Sequence, residues 1–149
     1  MGQEVDLPAV HQLVRELAIF ERAEDQFVAD LSHYQQQFQQ GLFEIILAES
    51  DAAVIGIALF YPTFSTWKGK MMYLEDFVVK EQYRNQGVGQ LLFDRFLSES
   101  QKAGAKLVKW QVLDWNEHAI RFYERNEATI QKGWYNGLIY FESDTALYT

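Results

Sequence analysis

The chain has 149 residues, 48% hydrophobic and 15% aromatic, which suits one domain with a real core and excludes a disordered segment. Lys and Arg number 13 against 21 Asp and Glu, a net charge of -8 that speaks against nucleic acid as a partner; the acidity serves solubility or attracts a cationic ligand. There is no cysteine, so there is no disulfide framework or thiolate metal site, and a cytoplasmic location fits.

The N-terminus, MGQEVDLPAV, has neither a basic start nor an apolar run, so no signal peptide is expected there. No stretch approaches the roughly 20 apolar residues of a membrane span, so no membrane partner is expected. Val10, Leu13, Val14 and Leu17 recur at helical spacing, with Asp6 as N-cap and Pro8 in the first turn. A second helix is predicted over about 24–37, with Phe27, Leu31 and Tyr34 on one side. FEIILAES and AAVIGIALFY, split at Ser50 and Asp51, read as an antiparallel hairpin. Trp67, Lys68 and Gly69 form a turn before the strand KMMYLEDFVV. A helix then runs to about Ala103, with Gly104 at its C-terminal cap. KLVKWQVL is a strand, and NEHAIRFYERN a short helix capped by Asn116. Two last strands flank Tyr135, Asn136 and Gly137, where Asn-Gly signals a tight hairpin. The order predicts a single α/β domain over 1–149, with a mixed sheet and helices packed on it. The strands on either side of the long helix should be parallel neighbours.

The stretch YRNQGVGQLLFDRF, residues 83–96, places Gly87 and Gly89 where that long helix begins. Glycine there costs roughly 1 kcal/mol against alanine. A P-loop needs Lys-Ser or Lys-Thr after the second glycine, and Gln90-Leu91 follows instead. A dinucleotide fingerprint needs a small residue three positions after Gly89, and Leu92 stands there. The pair fits an ordinary turn or an anion site built from free backbone N–H groups and the helix dipole.

The segment Arg84-Asn85-Gln86-Gly87-Val88-Gly89 resembles the pyrophosphate motif of the GCN5-related N-acetyltransferase (GNAT) superfamily. Together with YLEDFVV at 73–79 and VLDWNEHAIRFYER at 112–125, the chain looks like the diamine (spermidine/spermine) acetyltransferases over about 10–141. The resemblance implies a GNAT fold: a mixed, mostly antiparallel sheet with a splayed parallel pair at its centre and helices on both faces. It implies acetyl-CoA as cosubstrate, with no metal. Phe77, Val78 and Val79 would offer backbone to the pantetheine arm. Amides from Asn85, Gln86, Gly87, Val88, Gly89 and Gln90 would hold the pyrophosphate behind Arg84. Asn116 would bind near the pantetheine, a role compatible with helix capping.

Tyr123 matches the family's catalytic tyrosine, which protonates the leaving thiolate; by spacing alone Phe122-Tyr123 is a core-facing helix stripe. Glu75 matches a carboxylate that accepts the amine's proton through water. Asp76 beside it would draw the cation, on the opposite face if the strand is regular. Without the resemblance both are solvated strand carboxylates. Phe20 and Glu21 correspond to residues that close over the amine, and Trp110 and Gln111 border the same channel; Glu21 is otherwise an ordinary acid in a helix-end loop. The implied activity is acetylation of a small primary amine, a diamine, polyamine or lysine analogue, by direct attack in a ternary complex. Acetylation of a protein or peptide amine, or a CoA-binding sensor without turnover, are the competing readings. A homodimer is implied, without nucleic-acid or membrane partners.

Three departures from the family bear on this. The Ile-Arg-Pro-type edge strand is missing or truncated at the N-terminus. Ser65, in FSTWKG, replaces the aspartate of polyamine-preferring members and looks like the thialysine-acetylating branch. Glu127 stands where the last helix normally meets a glycine, so Asn126 is expected to take the left-handed cap. His11, His33 and His118 lack ligand spacing, and His11 and His33 read as surface residues on helices. Residues 134–141 read as strand core or subunit interface before ligand cage.

Overall fold

A computed structural model describes residues 1–141, with Met1–Trp110 and the chain from Gln111 forming two compact units. In the first unit α1 covers Leu7–Phe20 and α2 covers Leu31–Gln39. Strands β1 (Glu44–Ser50), β2 (Ala53–Ser65) and β3 (Gly69–Val79) follow, then α3 (Val88–Lys102) and β4 (Leu107–Lys109). The sheet runs β1-β2-β3-β4, antiparallel except for the parallel β3–β4 pair on either side of α3. The β1–β2 turn is Asp51-Ala52, both at positive φ (49° and 61°), the handedness that suits a two-residue hairpin.

Helices pack on both faces. Leu7, Val10, Leu13 and Val14 of α1 bury against Ile45, Ile57, Leu59 and Val78, with Tyr34 and Phe38 of α2 at the margin. On the other face Phe96 of α3 meets Phe60 edge-on at 5.2 Å, and Phe93 lies 5.9 Å from Phe77. At the far end of α3 the Lys70 ammonium donates to the carbonyl of Ala103 at 2.8 Å, a cation at the negative end of the helix, and Gly104 takes φ +79°.

Several boundaries differ from expectation. Asp6 is already helical in backbone and does not cap α1; its carboxylate accepts instead from the Gln3 N–H at 2.7 Å, closing a single 3-10 turn. The second helix does not start at residue 24. A 3-10 turn covers Glu24–Gln26, and the helix begins after Asp30, whose carboxylate accepts from His33 N–H at 3.0 Å and the Ser32 hydroxyl at 2.7 Å. Aspartate competes for backbone amides more effectively at a helix start than inside a helix, so Asp30 sets the boundary. His11 is no plain surface residue: its ring lies between Phe27 and Tyr34 at 4.9 and 5.0 Å, with Nε2 2.9 Å from the carbonyl of Ala29.

In the second unit α4 covers Glu117–Arg125, and the Asn116 side chain accepts from the Ala119 N–H at 3.3 Å, the expected cap. Asn126 does not take the left-handed cap. Its φ is -93°, its amide side chain donates to the Phe122 carbonyl at 2.9 Å, and Glu127 takes φ +62°. The expected C-terminal hairpin is not formed through residue 141, where no strand follows α4. Asn136 instead accepts from the Gln111 amide at 2.6 Å, and Tyr135 is fully exposed. A lone two-stranded hairpin is marginal without a surface to bury its apolar side chains. The remainder of the expected last strand lies outside the described residues.

Candidate active site

Two features of the first unit stand out chemically: the start of α3, and a group of carboxylates and phenols around β3. Parallel pairing with β4 covers only Met71, Met72 and Tyr73. β3 continues to Val79 with no partner on that side among the described residues, so the backbone of Phe77, Val78 and Val79 offers an open edge.

The chain then turns through a 3-10 segment, Glu81–Tyr83, into Asn85 at φ +58° and Gly87 at φ +83°. Gly87 occupies the N-cap position, and no side-chain cap bond is made there among the described residues. Its left-handed backbone explains the first glycine. The second has another explanation. A Cβ on Gly89 would sit 3.8 Å from Phe77 Cζ and 3.9 Å from Val79 Cγ2, ordinary contact, so the fold does not require glycine there. What Gly89 provides is bare backbone at the positive end of a 15-residue helix, which fits a phosphate group. Gln86 donates to the Gln82 carbonyl at 2.8 Å and holds this loop, and Val88 and Gln90 begin the helix beside it. The Arg84 Nε donates to the Val79 carbonyl at 2.9 Å, and its guanidinium lies 5.6 Å from the Phe20 ring. Arg84 thus braces the loop against the end of β3, and Phe20 belongs to that brace.

The second feature depends on a β-bulge. Leu59 pairs with Asp76 but Phe60 pairs with Leu74, which leaves Glu75 as the extra residue on β3. Regular alternation between Glu75 and Asp76 therefore does not hold, because a bulge re-aims the side chains beside it. The Tyr61 hydroxyl donates to Glu75 Oε2 at 2.6 Å, and the Tyr61 and Tyr73 rings stack at 5.6 Å. Burial first, then the charges of Glu75 and Glu21, push the half-buried Asp76 carboxyl up to about 7. Burial raises Glu21 as well, at the C-terminal end of α1. Burial raises the phenol of Tyr34, with Asp76 and Glu75 adding to it. Tyr61 is raised by burial and by its bond to Glu75, and Tyr73 by burial and the Glu75 charge. All three phenols stay protonated at neutral pH.

The bulge thus sets Glu75 beside Asp76, with the charge of Glu21 also acting on Asp76, and no Lys or Arg pairs with them among the described residues. Neighbouring acids without a counter-ion favour a cationic ligand. Tyr34, Tyr61 and Tyr73 escaped the sequence reading. The i, i+2 spacing of Tyr73 and Glu75 hinted at one of them, whereas Tyr61 depends on the bulged register.

Other predicted residues lie elsewhere. Trp110 packs edge-on against Phe93 at 5.7 Å, on the α3 side of the sheet. Ser65 ends β2, and its hydroxyl accepts from the Lys68 N–H at 3.2 Å in the turn. Its partner Gly69 is six residues from Glu75 along β3, roughly 20 Å at strand rise. In the second unit Asn116 caps α4, Gln111 is tied to Asn136, and Tyr123 is buried on α4. Among the described residues no cluster of His, Asp and Glu could hold a metal ion, and no helix is long and apolar enough to cross a membrane.

The chain matches the acetyltransferase (GNAT) family over residues 7–127. It is 32% identical to a thialysine N-epsilon-acetyltransferase of Bos taurus, covering 90% of this chain and 86% of that protein. It is 38% identical to the L-ornithine N5-acetyltransferase NATA1 of Arabidopsis thaliana, over 57% of this chain and 38% of that protein. Among solved structures, the aminoglycoside acetyltransferase meta-AAC0020 from a soil metagenome shares the fold, with a TM-score of 0.78 at 20% identity over 95% of this chain and 93% of that one. With its mixed sheet, bare helix start and family match over most of its length, the chain belongs to the acetyltransferase (GNAT) family and is an N-acetyltransferase.

Proposed function

We propose that the chain transfers the acetyl group of acetyl-CoA to a primary amine of a small cationic substrate, by direct attack in a ternary complex. The observation that carries this is the group of carboxylates at the β3 bulge, Glu75 and Asp76 with Glu21 acting on Asp76, which no Lys or Arg pairs among the described residues. Such a group draws an ammonium. It also offers a destination for the proton the ammonium must lose, since only the neutral amine attacks.

Acetyl-CoA supplies the activated acetyl thioester. The bare start of α3, from Asn85 to Gln90, holds its pyrophosphate, and the open edge at Phe77, Val78 and Val79 holds the pantetheine arm. Glu75 takes the amine's proton through water, and Asp76 and Glu21 hold the cation. As the C–N bond forms and the C–S bond breaks, Tyr123, assigned by its match to the family tyrosine, gives its proton to the departing thiolate, and the second proton lost by the nitrogen returns through water to the phenolate. Asn116 stays in the pantetheine role the family gives it.

The relatives named for thialysine and L-ornithine favour a short, lysine-like amine. Ser65 supports the same choice: it lacks the carboxylate that would grip a second, distant ammonium, and it stands roughly 20 Å along the strand from Glu75. The same reading takes the protein as one catalytic domain and a cytoplasmic homodimer, with no nucleic-acid or membrane partner.

The test is an amine panel (thialysine, ornithine, diamines, spermidine and a lysine peptide) assayed with acetyl-CoA by thiol release. Thiol release with the short amines is expected. Measurable acetyl-CoA binding without thiol release on any member would overturn the reading and favour a sensor.

A further inference from the structure

We propose that Tyr61 is a positioning residue for this reaction: its phenol, donated to Glu75 Oε2 across the bulge, fixes the carboxylate that serves the incoming amine. The inference rests on the function proposed above and adds a residue to it.

A bulged residue is the extra member of its strand, and no direct partner across the ladder holds it. Glu75 is such a residue, and it is exposed to solvent. A glutamate with three rotatable bonds in that position would sample many rotamers. Among the described residues the restraint on it is the 2.6 Å bond from Tyr61, short enough for a charge-assisted hydrogen bond. Tyr61 is itself held. It lies opposite Tyr73 in the β2–β3 ladder, and the two rings stack at 5.6 Å with an interplanar angle of 26°. The path of restraint therefore runs from the ladder to the ring stack, to the phenol, to the carboxylate. Tyr61 engages Oε2, which leaves Oε1 for the amine or the water that carries its proton. Burial and the neighbouring carboxylate keep the phenol protonated, so the restraint persists across the working pH range.

Tyr61→Phe keeps the ring and its stack and removes only the donor. In the full chain, with thialysine and acetyl-CoA, the variant is expected to lose about tenfold in kcat/KM for the amine, the value of one charge-assisted hydrogen bond. Its KM for acetyl-CoA should stay within about twofold, because the helix start is untouched. Loosening of the β2–β3 hairpin would instead move both constants together, and that result would overturn the proposal. The decisive comparison adds Glu75→Gln. If Tyr61 acts through Glu75, Tyr61→Phe costs less than about twofold in the Glu75→Gln background. A full tenfold loss in both backgrounds would assign Tyr61 an independent role and overturn the proposal. Turnover in the parent chain with no change in Tyr61→Phe would refute the Tyr61 role alone. Absence of turnover in the parent chain on every amine would refute the proposed function, and the Tyr61 role with it.

Discussion

Replacing Asp76 with asparagine removes a charge that the fold carries against its own stability. The carboxyl rises from 3.8 in the unfolded chain to about 7 in the folded one. Between those values the folded chain retains a proton that the unfolded chain has lost, so stability falls as pH rises from about 4 to about 7 and levels off above. The difference, 7 - 3.8 = 3.2 units at about 1.36 kcal/mol each, amounts to ~4 kcal/mol at most. Asp76→Asn cannot ionise, so this pH-dependent loss should vanish. Little change is expected at pH 4, and a more stable variant at pH 8. At roughly 2–4 °C per kcal/mol for a chain of this size, the gain in Tm reaches about 10 °C. Thermal and urea unfolding at pH 4, 6 and 8 measure it. The same variant should lose at least about tenfold in kcat/KM for a cationic amine, since the unfavourable charge is the one the ligand relieves. A stability difference that does not vary with pH, or a variant less stable at pH 8, would refute the reasoning.

Gly89→Ala separates folding from cosubstrate binding. The new Cβ makes only ordinary contacts, so stability should hold or rise by about 0.5–1 kcal/mol, while calorimetry should show acetyl-CoA affinity falling at least about tenfold; unchanged affinity would remove Gly89 from the site. Tyr123→Phe should lower kcat by roughly 10²–10⁴-fold with acetyl-CoA Kd nearly constant, and unchanged turnover would end its acid role. Glu127→Gly relieves a left-handed backbone at φ +62° and should add about 1 kcal/mol, read as a Tm rise of roughly 2–4 °C; a lower Tm would contradict that assignment.

The fold was legible where local signals agreed. Apolar, β-branched runs broken by turn residues placed β1, β2 and β3, and the step from β3 through α3 to β4 required a parallel pair. Gly87 announced the start of α3, although only the structure separates its backbone role from the openness that Gly89 supplies. Elsewhere one local signal defeated another. Asp30 set the start of α2 against the apolar spacing that suggested residue 24. Asn-Gly at 136–137 promised a hairpin, but a turn signal supplies no surface for strands to pack on. The carboxylates at Glu75 and Asp76 were legible as residues but not as a pair. Their pairing depends on a one-residue slip between β2 and β3, a long-range register that no pattern within YLEDFVV encodes.

The proposed reaction moves acetyl from acetyl-CoA to a small cationic amine. The most direct test offers acetyl-CoA labelled with ¹³C in the acetyl group to an equimolar mixture of thialysine, spermidine and a lysine peptide. Mass spectrometry then follows where the label goes. Early labelling of thialysine is expected, markedly slower in Glu75→Gln. Label appearing first on the peptide, or on none of the three while the chain binds acetyl-CoA, would contradict it.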